Sequence, residues 1–411
     1  MKMRAESELL LCCARSSVDD ERSKRIRSLL RDGIDWTHLL RQAKEHGVMP
    51  LLCWHLTNNC LDGIPQPLVD RLRDHFHSNA RSNLLLTEEL LSLLDLLEAR
   101  GIRAIPFKGP ALAASVYGNI ALRQFCDLDL FVHASEVSKA RDLLISVGYQ
   151  PELNLTRERE AAFLRYQCEL LFRRDRVVVE IQWRIAPRYF SFPLDYGRLW
   201  ERVQPIALGN REVMTLSPED SLLILCVHGA KHVWERLGWI CDVAELVRVY
   251  NQMDWRRVID QARELGSERM LFLGLFLASD LLGAALPVEV SQRVLANAPV
   301  KTLGARVRER LFAETDGVRG FIQSSLFQLG ARERLRDKLH YCLRLATTTT
   351  IEDWEFLPLP SSLAFLYYPL RPLRLVRKYG WGLLQRAPDP FREIRVIRGK
   401  LFGACNPWRD R

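Results

Sequence analysis

Residues 102–132 read IRAIPFKGPALAASVYGNIALRQFCDLDLFV. Ile102–Phe107 is a short alternating apolar stretch. A small-residue helix is predicted from Pro110 to Tyr117, with Pro110 suitably placed near its N-terminus. Asp127–Val132 then alternates with period two, as a half-buried strand does. Further on, a helix is predicted over about Glu136–Ser146, ending at Gly148. Residues 176–183, RVVVEIQW, read as another strand. Strands alternating with helices between 101 and 205 predict a compact α/β module of about 100 residues.

Outward from that module the pattern turns helical. Apolar residues in 1–100 recur every three or four positions, the period of an amphipathic helix. The last of these helices is predicted over about Ser78–Ala99, with Gly101 just beyond it. On the other side, Ser217-Pro218-Glu219-Asp220 reads as an N-cap followed by proline and first-turn acids. Helices are expected from there to about Ala346, where the threonine run 347–350 makes a break. The predicted organisation is therefore an N-terminal helical region (1–100), an α/β core (101–205), a C-terminal helical domain (206–346) and a basic, proline-containing tail (347–411). The class is α+β: a small mixed sheet flanked by helices.

The whole chain has 411 residues, 48% hydrophobic and 27% charged, the proportions of an ordinary globular protein rather than a disordered or collagen-like one. At roughly 100–200 residues per domain, two to four domains are expected. Its 59 Lys+Arg against 50 Asp+Glu leave a net charge of +9. That favours an anionic ligand without demanding one. No window offers the roughly 18 consecutive apolar residues that a membrane span needs. Ten cysteines, scattered without CxxC spacing, suit reduced thiols and a cytoplasmic setting.

The chemistry concentrates between Lys108 and Glu180. Asp127 and Asp129 are separated by one residue on a predicted strand, so both side chains point to one face. Adjacent carboxylates repel unless a cation neutralises them, and a hard divalent cation such as Mg²⁺ does so through oxygen ligands. Glu180, on the later strand, can join them by strand pairing. Three carboxylates around Mg²⁺ suit phosphoryl transfer, in which the metal neutralises developing charge. Lys108-Gly109 lies between a strand and a helix start, where backbone N–H groups and a point charge favour phosphate. Arg123 can clamp a phosphate oxygen, or be one half of a salt bridge. Alone, a D-x-D pair at a strand edge is more often solvated surface or a turn; the ordered set carries the argument.

This set resembles the DNA polymerase β-like nucleotidyltransferase superfamily, in which a glycine motif precedes D-x-D and a third strand acid. Lys108-Gly109, Tyr117, Arg123 and Asp127-x-Asp129 are similar to a family of uncharacterised bacterial nucleotidyltransferases. Leu216–Asp220, His228–His232, Trp239 and Asp242 resemble the same family. The likeness covers about 30 to 380 and is strongest over 101–245. Here Lys108-Gly109 replaces the superfamily's Gly-Ser pair, and Glu180 stands where Asp is commoner.

The resemblance implies a Mg²⁺-dependent enzyme, with Mn²⁺ as a substitute metal. It would move a nucleoside monophosphate from a nucleoside triphosphate, ATP first among them, to an unidentified acceptor. Asp127, Asp129 and Glu180 would be catalytic and hold the metal. Lys108, Gly109, Arg123, Lys231 and His232 would bind the nucleotide. The acceptor is expected to be a small molecule or protein rather than nucleic acid. The alternative is a non-catalytic nucleotide- or partner-binding protein on the same fold.

Two other features remain open. His228 and His232 share a helix face, but the second position of a HExxH zinc motif is Gly229. His228 reads equally as a buried core histidine, and Asp242 as a partner for a nearby cation or a helix anchor. In the tail, Arg371, Arg374, Arg377 and Lys378 share one helical face near Tyr379 and Trp381. That face suits nucleic acid, an anionic surface or plain solvent.

Overall fold

Alternation along the central strands gives the sheet two unlike faces. A computed structural model describes residues 3–375, apart from 60–62, 154–156, 191, 314–320, 349–352, 354–355 and 358–360. The sheet contains β1 (Ala104–Pro106), β2 (Leu128–Val132), β3 (Gln150–Pro151), β4 (Glu169–Arg174) and β5 (Val177–Gln182) in the order β1-β2-β5-β4-β3. β2 and β5 run parallel and the other neighbours antiparallel, so the sheet is mixed. A parallel pair needs a long crossover. Here it carries α7 (Val137–Ser146), β3, α8 (Arg157–Tyr166) and β4.

One face of the sheet presents Leu128, Leu130, Val132, Val179 and Ile181. These pack under Leu86, Leu90, Leu93 and Leu97 of the 33-residue helix α5 (Gln66–Glu98), and under Leu143 and Leu144 of α7. On the opposite face Ile105, Phe107 and Phe131 form a smaller core with Ile185, Leu194, Leu199 and Leu216. Residues 129 and 131 share a face, as do 180 and 182. The acids therefore lie on the side that α5 and α7 leave uncovered.

The remaining helices form one body. N-terminal α1 (Ala5–Cys13), α2 (Asp20–Arg31), α3 (Trp36–Glu45), α4 (Met49–Asn59) and the start of α5 share a single hydrophobic core with α10 (Pro218–Lys231), α11 (Leu237–Val249), α12 (Trp255–Glu264), α13 (Glu268–Leu282), α14 (Val288–Ala296) and α15 (Ala298–Leu311). The two regions read as separate in sequence thus meet beside the sheet. A hairpin of β6 (Gln204–Leu208) and β7 (Arg211–Thr215) bridges core and body, spanning position 205. Thr215 Oγ1 donates to the Pro106 carbonyl at 2.5 Å. Beyond α15 come α16 (Phe321–Gly330), α17 (Leu335–Thr347) and α18 (Tyr367–Leu375), while α6 (Gly109–Leu112) and α9 (Tyr196–Glu201) are short. No helix among the described residues is long and apolar enough to cross a membrane.

Two elements differ from expectation in extent, and a third starts where expected. α5 begins at Gln66 rather than near Ser78, because Pro67 sits in its first turn and a polar stretch continues the helix. The helix after Lys108 is α only over Gly109–Leu112 and widens to a π turn over Ala113–Tyr117. Ser217 caps α10 as anticipated, accepting from the Asp220 N–H at 3.2 Å.

Candidate active site

The parallel pairing of β2 with β5 sets Asp129 directly beside Glu180. Both are buried, with exposures of 6% and 1%. Two buried carboxylates at neighbouring positions cost free energy unless donors reach them. Gln182, two residues after Glu180 and on the same face, supplies one donor. Its Nε2 donates to Asp129 Oδ1 at 2.6 Å and to Glu180 Oε2 at 3.0 Å. Lys108 Nζ supplies another, 3.3 Å from Asp129 Oδ1 and 5.1 Å from the Phe107 ring centroid. Asp127 stands at the entry to β2, half-buried. Sequence reading missed Gln182, although a polar residue at i+2 from a buried acid on an apolar strand is a usable signal.

Gly109 joins these elements for two separable reasons. Its φ is +50°, a left-handed value that residues with a Cβ rarely adopt. A Cβ there would also meet the Asp127 carbonyl oxygen at 3.2 Å. The start of α6 therefore abuts the strand that bears the acids. Lys108, Gly109, Asp127, Asp129 and Glu180 are thus gathered at one end of the β2–β5 pair.

Of the two roles read for Arg123, phosphate clamp and half of a salt bridge, the structure displays the salt bridge. Its Nε and Nη2 donate to Asp242 Oδ1 and Oδ2 at 2.8 and 2.9 Å, the forked geometry that guanidinium and carboxylate share. The Tyr117 hydroxyl donates to Asp242 Oδ1 at 2.8 Å. Burial works against the charged guanidinium, but the Asp242 carboxylate beside it holds the Arg123 pKa above its ordinary value. Burial first, and then Asp242, push the Tyr117 hydroxyl well up. Arg123 and Tyr117 thereby tie the π turn and the approach to β2 onto α11.

Lys231 and His232 lie at the C-terminal end of α10. The His232 ring sits 4.7 Å from His228 and 5.3 Å from Trp239, and His228 lies 5.4 Å from Trp239, centroid to centroid. The Lys231 carbonyl accepts from Gln328 Nε2 at 3.1 Å, and Lys231 makes no ion pair with the three acids. The turn that follows is unusual, because Val233 and Trp234 have φ of +57° and +52°. Such strain persists only where surroundings over-determine it. Trp234, fully buried, is wedged so closely that a Cβ on Gly229 would meet its ring at 2.5 Å, and one on Gly274 at 3.1 Å. Gly229 therefore answers to packing. In the tail, Arg371 and Arg374 both meet Asp353, whereas Arg377, Lys378, Tyr379 and Trp381 lie outside the described residues.

Asp127, Asp129 and Glu180 provide the hard oxygen donors that Mg²⁺ prefers. Among the described residues, however, no three His, Cys, Asp or Glu side chains are grouped as a ready metal site. Lys108 and Gln182 occupy faces of the acids that a cation would take. Donor chemistry suits the metal for each acid, and strand register aligns Asp129 with Glu180, while Lys108 sits on Asp129 where a cation would bind.

A mixed sheet with neighbouring strand acids beside a Lys-Gly helix start is the core of a nucleotidyltransferase-type domain. The chain belongs to the family described as uncharacterised nucleotidyltransferase, whose model matches residues 32–283, well over half of its length. The match takes in α3 to α5, the sheet and the body as far as the end of α13. No curated protein matches the chain.

Proposed function

We propose that the protein transfers a nucleoside monophosphate from a nucleoside triphosphate, ATP first among candidates, to an acceptor hydroxyl, with release of pyrophosphate. The observation that carries this reading is the in-register pair Asp129–Glu180, set beside Lys108-Gly109 at the entry to β2. Asp127, Asp129 and Glu180 would hold Mg²⁺, with Mn²⁺ as a substitute. Bound there, the metal would supply the Lewis acid that offsets charge on the reacting phosphoryl group. Lys108 would leave Asp129 for the triphosphate, and the N–H groups of Gly109 and Ala111, on either side of Pro110, would face its oxygens. Glu180 would take the proton of the acceptor hydroxyl as that oxygen bonds to the α-phosphorus and the bond to the β-phosphate oxygen breaks. Lys231 and His232 would close over the nucleotide from α10. Arg123 would hold the floor of the site through Asp242.

The test is pyrophosphate release and transfer of α-labelled nucleotide with Mg²⁺, a nucleoside triphosphate panel and cell extract as acceptor source. The wild-type chain should label an acceptor, and Asp129→Asn should lose at least a hundredfold in rate while keeping its circular dichroism. Activity retained in Asp129→Asn would overturn the assignment. The Lys108–Asp129 ion pair also suits a non-catalytic nucleotide- or partner-binding protein, in which the cation is never displaced. Nucleotide binding without pyrophosphate release would select that reading.

A further inference from the structure

Beyond the acids, β5 runs into a cluster of cations. Arg184 lies two residues after Gln182, and its Nη1 donates to the Arg165 carbonyl at the end of α8 at 3.1 Å. The Arg165 guanidinium sits 5.7 Å from the Tyr166 ring centroid. Arg188 lies on the short turn Arg188–Phe190, which packs against both α8 and α17, and Arg344 comes from α17. Tyr166 and Tyr368 meet hydroxyl to hydroxyl at 2.8 Å beside them.

The platform is held firmly. Arg332, buried between the Phe190 and Tyr341 rings at 4.6 and 4.2 Å, donates to the Phe190 carbonyl at 2.5 Å, which fixes the turn. Nearby Arg371 and Arg374 share Asp353, yet none of Arg165, Arg184, Arg188 and Arg344 is ion-paired with a carboxylate among the described residues. Burial, and then the Arg344, Arg184 and Arg165 charges, hold the Arg188 pKa below its ordinary value. Like charges collected on a fixed, partly exposed surface repel one another until an anion enters.

We propose that Arg165, Arg184, Arg188 and Arg344, with the Tyr166–Tyr368 hydroxyl pair, form an anion site that receives a phosphate group of the acceptor. Guanidiniums present forked donors to phosphate oxygens, and tyrosine hydroxyls add a neutral donor. The site follows directly on the strand that carries Glu180 and Gln182. As an acceptor site it rests on the transferase reading; as a phosphate site it does not.

Isothermal titration of the full chain tests it with two probes, glycerol 3-phosphate as a phosphomonoester and a short single-stranded oligoribonucleotide, against glycerol as a neutral control. The wild-type chain should bind one of the phosphate probes and not glycerol. Heat with the phosphomonoester assigns a phosphorylated small acceptor, and heat with the oligonucleotide alone assigns nucleic acid. The double variant Arg188→Gln/Arg344→Gln should weaken binding about tenfold or more and flatten its salt dependence by about one to two phosphate contacts. The double variant should keep the wild-type circular dichroism and urea midpoint, which excludes misfolding as the cause. Failure of both probes to bind, or unchanged binding in the double variant, overturns the site. Phosphate binding without pyrophosphate release would retire the transferase reading alone.

Discussion

Asp242→Ala is the most informative single change, because it separates a structural from a ligand-binding role for Arg123. The Asp242 side chain is 3% exposed and that of Arg123 is 13% exposed, so removing the carboxylate strands a charge out of water. Breaking one side of a buried pair costs about 3–5 kcal/mol. The Tyr117 hydroxyl also loses its acceptor, a penalty of about 1–3 kcal/mol that overlaps the first because one group serves both. Asp242→Ala is therefore expected to destabilise by about 3–5 kcal/mol. Arg123→Met/Asp242→Leu removes both charges and should cost less than Asp242→Ala alone. The assay is urea unfolding followed by tryptophan fluorescence, with Trp239 one turn before Asp242 as a local reporter. A loss below about 1 kcal/mol, or single effects that simply add in the double variant, would refute the clamp.

Three further outcomes follow from the geometry. Gln182→Glu replaces the donor between Asp129 and Glu180 with a third acid, so its thermal midpoint should fall below wild type as pH rises, and millimolar Mg²⁺ should restore it. Melting curves with and without the metal check this, and a Mg²⁺-insensitive loss would count against metal binding by the acids. Gly109→Ala should lower nucleotide affinity at least tenfold in titration, since the left-handed φ strains any residue with a Cβ and that Cβ would crowd the Asp127 carbonyl at 3.2 Å. The third outcome concerns pH. His55 donates from Nε2 to the Arg15 carbonyl at 2.8 Å, and burial above all holds its pKa below 6.5. The unfolded chain therefore takes up this proton first, so stability present at neutral pH should decline as pH falls through about 6.5. Urea midpoints across that range should flatten in His55→Gln.

The sheet was legible where polarity alternates and obscure where it does not. β2 and β5 announce themselves because apolar residues alternate or cluster between turns, whereas Glu169–Arg174 mixes charge with leucine and reads as no element in particular. The β6–β7 hairpin carries a two-residue Gly209-Asn210 turn, with φ of +61° at Gly209, a signal that needs no periodicity. For the site, local order exposed Lys108-Gly109 and the acids, because a strand and its neighbouring turn are contiguous in the chain. The partner of Arg123 was hidden for the opposite reason. It lies 119 positions away, and only packing of α11 on the π turn brings it near. Gln182 was overlooked because an amide carries no charge to attract notice, although its place beside Glu180 follows from strand alternation alone.

The wedge formed by Trp234 has an evolutionary consequence. Its indole fills space left by hydrogen atoms at positions 229 and 274, on two different helices, while its own backbone is held in the left-handed region. Positions 229 and 234 are therefore expected to vary as a pair. A relative that carries alanine at position 229 should carry a smaller residue in place of the tryptophan, and with it a relaxed link between α10 and α11, whereas alanine at 274 would first need room at Cys226, whose Sγ lies 2.4 Å from the added Cβ. Retention of glycine in the His-Gly-Ala-Lys-His run thus records the size of a side chain five residues downstream. As a marker of ligand chemistry in divergent sequences it would mislead.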